Sequence, residues 1–105
     1  MLRSVDPATG QVIRVYEEAD ATKIASALEL AGTAAQAWRE RSFEDRSVVV
    51  RRVAEVLRAR SSEFADVMAA EMGKPLAQGR SEVEKCAWAC AWFAENGAGF
   101  LADEE

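Results

Sequence analysis

The sequence has no histidine, and only two cysteines, two prolines and one tyrosine among its 105 residues. Without histidine there is no imidazole to serve as a general base, which excludes Ser-His-Asp and Cys-His catalytic pairs. With no histidine and no second cysteine pair, the usual ligand set of a structural zinc site is missing, and two thiols make no disulfide framework. Long apolar runs are absent as well. The longest, Cys86 to Ala94, falls far short of the ~20 residues that a bilayer-spanning helix needs. The opening residues Met1-Leu2-Arg3-Ser4-Val5-Asp6-Pro7 lack the apolar stretch of a signal peptide. Basic clusters are missing too: the net charge is −5, and lysine and arginine do not gather into a block with interleaved aromatics. A phosphate-tracking surface would need such a block. The expectation is a soluble, cytoplasmic protein with no nucleic-acid partner and no membrane contact.

Half of the residues are hydrophobic and 30% are charged, with both signs mixed along the chain. Alanine supplies much of the apolar share, so the composition favours helices over a core of large side chains. The length suits one small domain, which typically buries roughly 60–70% of its unfolded surface.

Residues 1–18 read as a turn and a strand. Asp6-Pro7-Ala8-Thr9-Gly10 carries turn chemistry, and Val12, Ile13, Val15 and Tyr16 follow as a β-branched and aromatic run. One strand is not stable alone, so a partner is expected within the chain or beyond it. The remainder reads as four helices, over 20–38, 43–60, 62–72 and 76–96. Asp20 is a candidate N-cap for the first, whose apolar positions Ile24, Leu28, Ala31, Ala35 and Trp38 recur at steps of three and four. The second opens on Phe43-Glu44-Asp45, with acids suited to the helix dipole, and runs through Val49, Val53, Val56 and Leu57. Ser61-Ser62 offers an N-cap to the third, which carries Phe64, Val67, Met68 and Met72 before Gly73 and Pro75 stop it. The fourth is expected to end near Asn96-Gly97, with Phe100-Leu101 outside it.

On a helical wheel the fourth helix places Val83, Cys86, Cys90 and Phe93 on one side. Trp88 and Trp92 fall on the opposite side, among Ser81, Glu84, Lys85 and Glu95. Two tryptophans on a polar face imply either a helix sandwiched among the other three or a contact with protein outside these residues. Cys86 and Cys90, four apart on a helix, have poor disulfide geometry and read as small, buried, reduced thiols.

The chemical motifs are weak. Gly97-Ala98-Gly99 is a partial dinucleotide signature without its strand, and Gly73-Lys74 lacks the rest of a P-loop. Lys85 adjoins Cys86 in sequence, but neighbours on a helix point in different directions. Glu82 and Glu84 read as a solvated face. No residue is assigned a catalytic, cofactor-binding or metal-binding role.

Taken in order, however, the motifs resemble the aldehyde dehydrogenase superfamily. Asp6-Pro7-Ala8-Thr9-Gly10-Gln11-Val12-Ile13 resembles its "NPATGE-x-I" start, with Asp and Gln in place of the commoner Asn and Glu. Trp38 followed by the Arg46 region resembles the family's Trp and "x-x-R" at the start of the second helix. Glu71-Met72-Gly73-Lys74-Pro75-Leu76 is similar to "E-x-GK-P-L". Ser81-Glu82-Val83-Glu84-Lys85-Cys86-Ala87-Trp88, then Phe93-Ala94-Glu95-Asn96, looks most like the succinate-semialdehyde dehydrogenase branch.

The resemblance implies a mostly α segment, residues 1–105 forming a single partial domain at the start of the cofactor-binding domain. In such enzymes a cysteine thiolate attacks the aldehyde, hydride passes to NAD or NADP, and a glutamate activates water to release the acid. The nucleophile, that glutamate, the oxyanion asparagine and the nicotinamide-binding motifs all belong to later parts of the family's sequence. Neither Cys86 nor Cys90 matches the nucleophile's surroundings. The implied partner is the rest of the dehydrogenase, with Trp88 and Trp92 at a domain contact or the substrate entrance. The chain alone is then expected to be inactive and to bind no cofactor. The alternative is a small helical module without catalytic activity that homo-oligomerises through exposed apolar faces.

Overall fold

The computed structural model describes residues 1–104. The elements run β1 (Leu2–Val5), β2 (Val12–Tyr16), α1 (Ala21–Glu40), α2 (Phe43–Ala59), α3 (Ser61–Met72) and α4 (Leu76–Phe100). The mostly helical fold matches the expectation, with one addition. The strand read from Val12–Tyr16 has its partner inside the chain: Leu2 pairs with Tyr16, Arg3 with Val15 and Ser4 with Arg14, antiparallel. The turn between them is closed by Asp6, whose carboxylate accepts the Ala8 N–H at 2.7 Å. The Asp6 carbonyl accepts the Gly10 N–H at 2.8 Å, and Gly10 itself sits at φ 72°. Both faces of this ribbon are exposed, and a two-stranded sheet is marginal by itself.

Local signals set the helix ends. Asp20 caps α1 by accepting the Lys23 N–H at 2.8 Å, and Ser42 caps α2 by accepting the Asp45 N–H at 3.0 Å. Glu44 and Asp45 occupy the first turn of α2, where the helix dipole favours anions. The expected Ser61-Ser62 cap is not formed. α3 begins at Ser61 directly after Arg60, and its N-terminus has no side-chain cap. Arg60 ends α2 by donating its N–H to the Val56 carbonyl, then accepts the Phe64 N–H, so α3 follows α2 after a bend of one residue. The Arg60 guanidinium also pairs with Glu63 across this first turn, and that hydrogen bond holds the Glu63 carboxyl below its ordinary range.

Gly73 terminates α3 in the left-handed region at φ 68°, donating to the Ala69 carbonyl while the Lys74 N–H reaches the Met68 carbonyl. The ribbon docks here. A β-carbon on Gly73 would stand 3.2 Å from Pro7 Cγ, and the Ser4 hydroxyl donates to Glu71 at 2.9 Å.

Further differences concern lengths. α1 runs to Glu40 and α4 to Phe100, past the expected ends at 38 and 96. A single glycine costs a helix only about 1 kcal/mol relative to alanine, so Gly97 and Gly99 do not stop α4.

The core lies where α4 meets α2 and α3, and it is made of small residues. Ala54, Ala65, Val83, Ala87 and Ala94 are the buried hydrophobics among the described residues, with Gly79 buried beside them. The buried stripe of α4 is therefore Gly79, Val83, Ala87 and Ala94. This corrects the expected stripe in three places: Cys86 is exposed and Cys90 half-buried rather than buried thiols, and Phe93 faces outward. Small side chains let helix backbones come close, and a phenylalanine in that seam would hold them apart. Arg58 on α2 reinforces the seam by donating from Nε to both Glu84 carboxylate oxygens on α4, at 3.0 and 3.3 Å.

The tightest point is Gly79, where a β-carbon would lie 3.1 Å from both Cα and Cβ of Ala65. Replacing Gly79 with leucine is expected to force α3 and α4 apart and lower stability by about 1–3 kcal/mol, the usual range for overpacking. Urea denaturation followed by circular dichroism measures this, and an unchanged midpoint would contradict the close approach.

Candidate functional site

α4 is covered on one side only, and its other side carries the largest apolar groups. Trp88 is 58% exposed, Phe93 62% and Phe100 69%. Trp92, one turn beyond Trp88, is half-buried because its ring meets Phe93 edge-on at 5.1 Å and Phe100 at 5.5 Å. Asn96 donates its side-chain amide to the Trp92 carbonyl at 2.9 Å, bracing the same turn. The two sequence-predicted tryptophans thus sit on an outer face with two phenylalanines. The sandwiched arrangement is not formed, since α2 and α3 leave Trp88 largely open.

Two further surfaces were not singled out by the sequence. Along α2, Val48, Val49, Val53, Val56 and Leu57 join Phe64 of α3 around an open apolar groove of about 500 Å³. The signal was present in Val48-Val49-Val50, because three successive valines cannot all face one side of a helix. The second surface is a cleft of about 190 Å³ where the ends of α1 and α4 meet the start of α2. Its walls include Trp38, Phe43, Val50, Phe93 and Leu101, with Arg46 and Ser47. The Arg46 guanidinium carbon lies 4.4 Å from the centre of the Phe43 ring, yet its Nε is buried without a hydrogen-bond partner.

α1 is the extreme case of exposure. None of its twenty residues is buried, and Ile24, Leu28 and Leu30 are all open. The accessible surface of the described residues totals 8413 Å². A compact monomer of this size would expose roughly 5,800 Å², leaving an excess of about 2,600 Å². The radius of gyration is 18.3 Å, against roughly 13 Å for a compact chain of this length.

Side chains with reactive potential are placed unfavourably for chemistry. Cys86 borders a shallow depression with Ser81, Glu82 and Lys85, and no imidazole exists to take its proton. The Lys74 ammonium is engaged by Glu82. Gly97 and Gly99 lie inside α4, so their N–H groups are directed along the helix rather than into a phosphate-binding loop. Among the described residues no three of Cys, Asp and Glu converge to hold a metal ion, and no helix is long and apolar enough to cross a membrane.

The chain is similar to known proteins along nearly its whole length. A succinate semialdehyde dehydrogenase [NAD(P)+] from Escherichia coli is 43% identical over 96% of this chain, and the match takes in 22% of that protein. A probable NADP(+)-dependent succinate-semialdehyde dehydrogenase from Synechocystis is 34% identical over 98% of the chain and 23% of its own length. A crystal structure of succinic semialdehyde dehydrogenase from Streptococcus pyogenes in complex with NADP+ superimposes with a TM-score of 0.89 at 27% identity. It covers 95% of this chain and 22% of the other. The chain thus spans a little over a fifth of the relatives it matches. Residues 1–104 match the aldehyde dehydrogenase family, and the chain belongs to it.

Proposed function

We propose that this chain serves as the N-terminal helical portion of an NAD(P)-dependent aldehyde dehydrogenase, most plainly one acting on succinate semialdehyde. It supplies packing surface rather than reacting groups. The observation that carries this reading is the excess of about 2,600 Å² of exposed surface over a compact monomer. On one partner alone, that is the scale of an obligate interface and well beyond a transient one. The names of the relatives support the substrate class and the nicotinamide cofactor.

On this reading α1, the outer face of α4 and the apolar groove of α2 are covered by the rest of the enzyme. Trp88 and Trp92 stand at that contact, or where it borders the substrate entrance. The cofactor, NAD or NADP, supplies the hydride acceptor when bound. The residues of this chain do not fit it, since both glycine clusters are engaged in helix structure. No step through the cofactor is assigned to them, and residues 1–105 act as one partial domain. The free, exposed Cys86 suits a reducing setting such as the cytoplasm.

A chimera in which this chain replaces the matched fifth of the Escherichia coli relative tests the proposal. It is expected to reduce NADP+ in the presence of succinate semialdehyde at above about a tenth of the parent rate, a loss of less than ~1.4 kcal/mol in barrier height. The chain by itself should produce no NADPH. A monodisperse, cooperatively unfolding homo-oligomer of the chain, together with an insoluble chimera, would support a helical association module instead.

Trp88→Ala separates the faces. In the isolated chain it should change stability by less than about 0.5 kcal/mol, as exposed positions generally do. In the chimera it should cost about 1–3 kcal/mol or raise the KM for the aldehyde, because a covered tryptophan contributes large apolar area. Unchanged stability and kinetics in the chimera would remove Trp88 from the contact.

A further inference from the structure

The arginines of α2 and its C-cap are not alike. Arg52 pairs with Glu55, Arg58 with Glu84 and Arg60 with Glu63. Arg46 and Arg51 join no ion pair among the described residues, but Arg46 differs from Arg51 in the burial of its guanidinium. Arg46 lies in the first turn of α2 and has a buried, unpartnered Nε. Its side chain stacks over Phe43, which satisfies the face of the guanidinium but not the Nε–H. A buried donor without an acceptor is destabilising, and buried polar groups of folded proteins nearly always have partners. The site that Arg46 borders is a narrow cleft with aromatic and aliphatic walls from Trp38, Phe43, Val50, Phe93 and Leu101. Within it, Ser47 is the other polar side chain. The cleft has room for a short length of chain, not a helix.

We infer that Arg46 is an anchoring residue, whose guanidinium donates to backbone carbonyl oxygens of an extended segment of the dehydrogenase body seated in this cleft. The inference rests on the reading proposed above and narrows it to one contact. The occupant belongs to the rest of the enzyme because the relatives are more than four times as long as their matched part. The exposed surface is also far larger than a weak association would cover. Carbonyl oxygens suit the site because an extended segment presents them whatever its side chains, and the apolar walls accept the side chains. Arg46 therefore positions the start of α2 and the ends of α1 and α4 against that body, and takes no part in the reaction.

The test uses this chain tagged and co-expressed with the remaining part of the Escherichia coli relative, with affinity measured after separation. The native chain is expected to bind. Arg46→Met should weaken binding at least about tenfold, and Arg46→Lys should not restore it, since an ammonium lacks the planar fork. The isolated Arg46→Met chain should unfold at the same temperature as the native chain or higher, because the orphaned donor is gone while apolar contact with Phe43 is kept. A lower melting temperature for the isolated variant would make Arg46 an internal structural residue and overturn the inference. Equal binding by native and Arg46→Met chains would overturn it while leaving the proposed function standing. Failure of the native chain to bind would overturn both. Loss of the native-to-Met difference in about 0.5 M salt would identify a screened carboxylate and overturn the carbonyl assignment.

Discussion

At Gly79 the backbone of α4 runs against that of α3, leaving no room for a side chain beside Ala65. The rest of the structure depends on that approach. Helices this close must meet through small residues, so Ala65, Ala87, Ala94 and Ala54 line the seams and Val83 is the largest side chain buried in them. Burying such small groups stabilises by only about 1 kcal/mol each, at ~25 cal/mol per Å². The aromatic and long aliphatic side chains, which could contribute about twice or three times as much, are left outside. The same constraint that fits α4 to its neighbours makes the chain expose the groups most in need of cover.

That inversion explains the shape and the chemistry together. A helix such as α1, with every residue exposed, is held by its Asp20 cap and its connection to α2 but by no packed face. Most helical stability in proteins comes from packing of an apolar face rather than from propensity, and α1 has its face unpacked. Its Ile24, Leu28 and Trp38, the outer row of α4 and the valine groove of α2 are all left open. The chain belongs to the aldehyde dehydrogenase family over a stretch equal to about a fifth of the relatives, and the function proposed above gives these surfaces a common purpose. On the proposed reading, the chain contributes shape to an enzyme whose reacting groups lie elsewhere.

Much of the architecture was legible because strong local signals agree with it. Asp20 and the acids after Ser42 mark helix starts, and Gly73 with Pro75 marks a stop that the left-handed φ of Gly73 bears out. Partner strand β1 was not legible, since Leu2-Arg3-Ser4-Val5 is too short to show alternation and its register comes from the Asp6 turn. The C-terminal end of α4 lies beyond its expected place because Gly97 looks like punctuation, whereas the Trp92–Phe100 contact spans it. Assigning Phe93 and Cys86 to the core followed from ranking residues by hydrophobicity. Close packing ranks them by size, and Ala87 and Ala94 took the seam. Trp88 and Trp92 stood out because large aromatics on a nominally polar face are costly. Arg46 stood out only as a motif position, because an unpartnered Nε is a property of the folded surroundings and not of the residue type.

Amide hydrogen exchange along α1, in the isolated chain and in the chimera with the Escherichia coli relative, most directly tests the claim that these faces are meant to be covered. The account predicts rapid exchange through Ala21–Glu40 when the chain is alone, slowing by at least about 100-fold in the chimera, as expected when a fraying element joins a cooperative core. Equal exchange in the two settings would contradict it, whether α1 proved stable alone or remained open in the assembled enzyme.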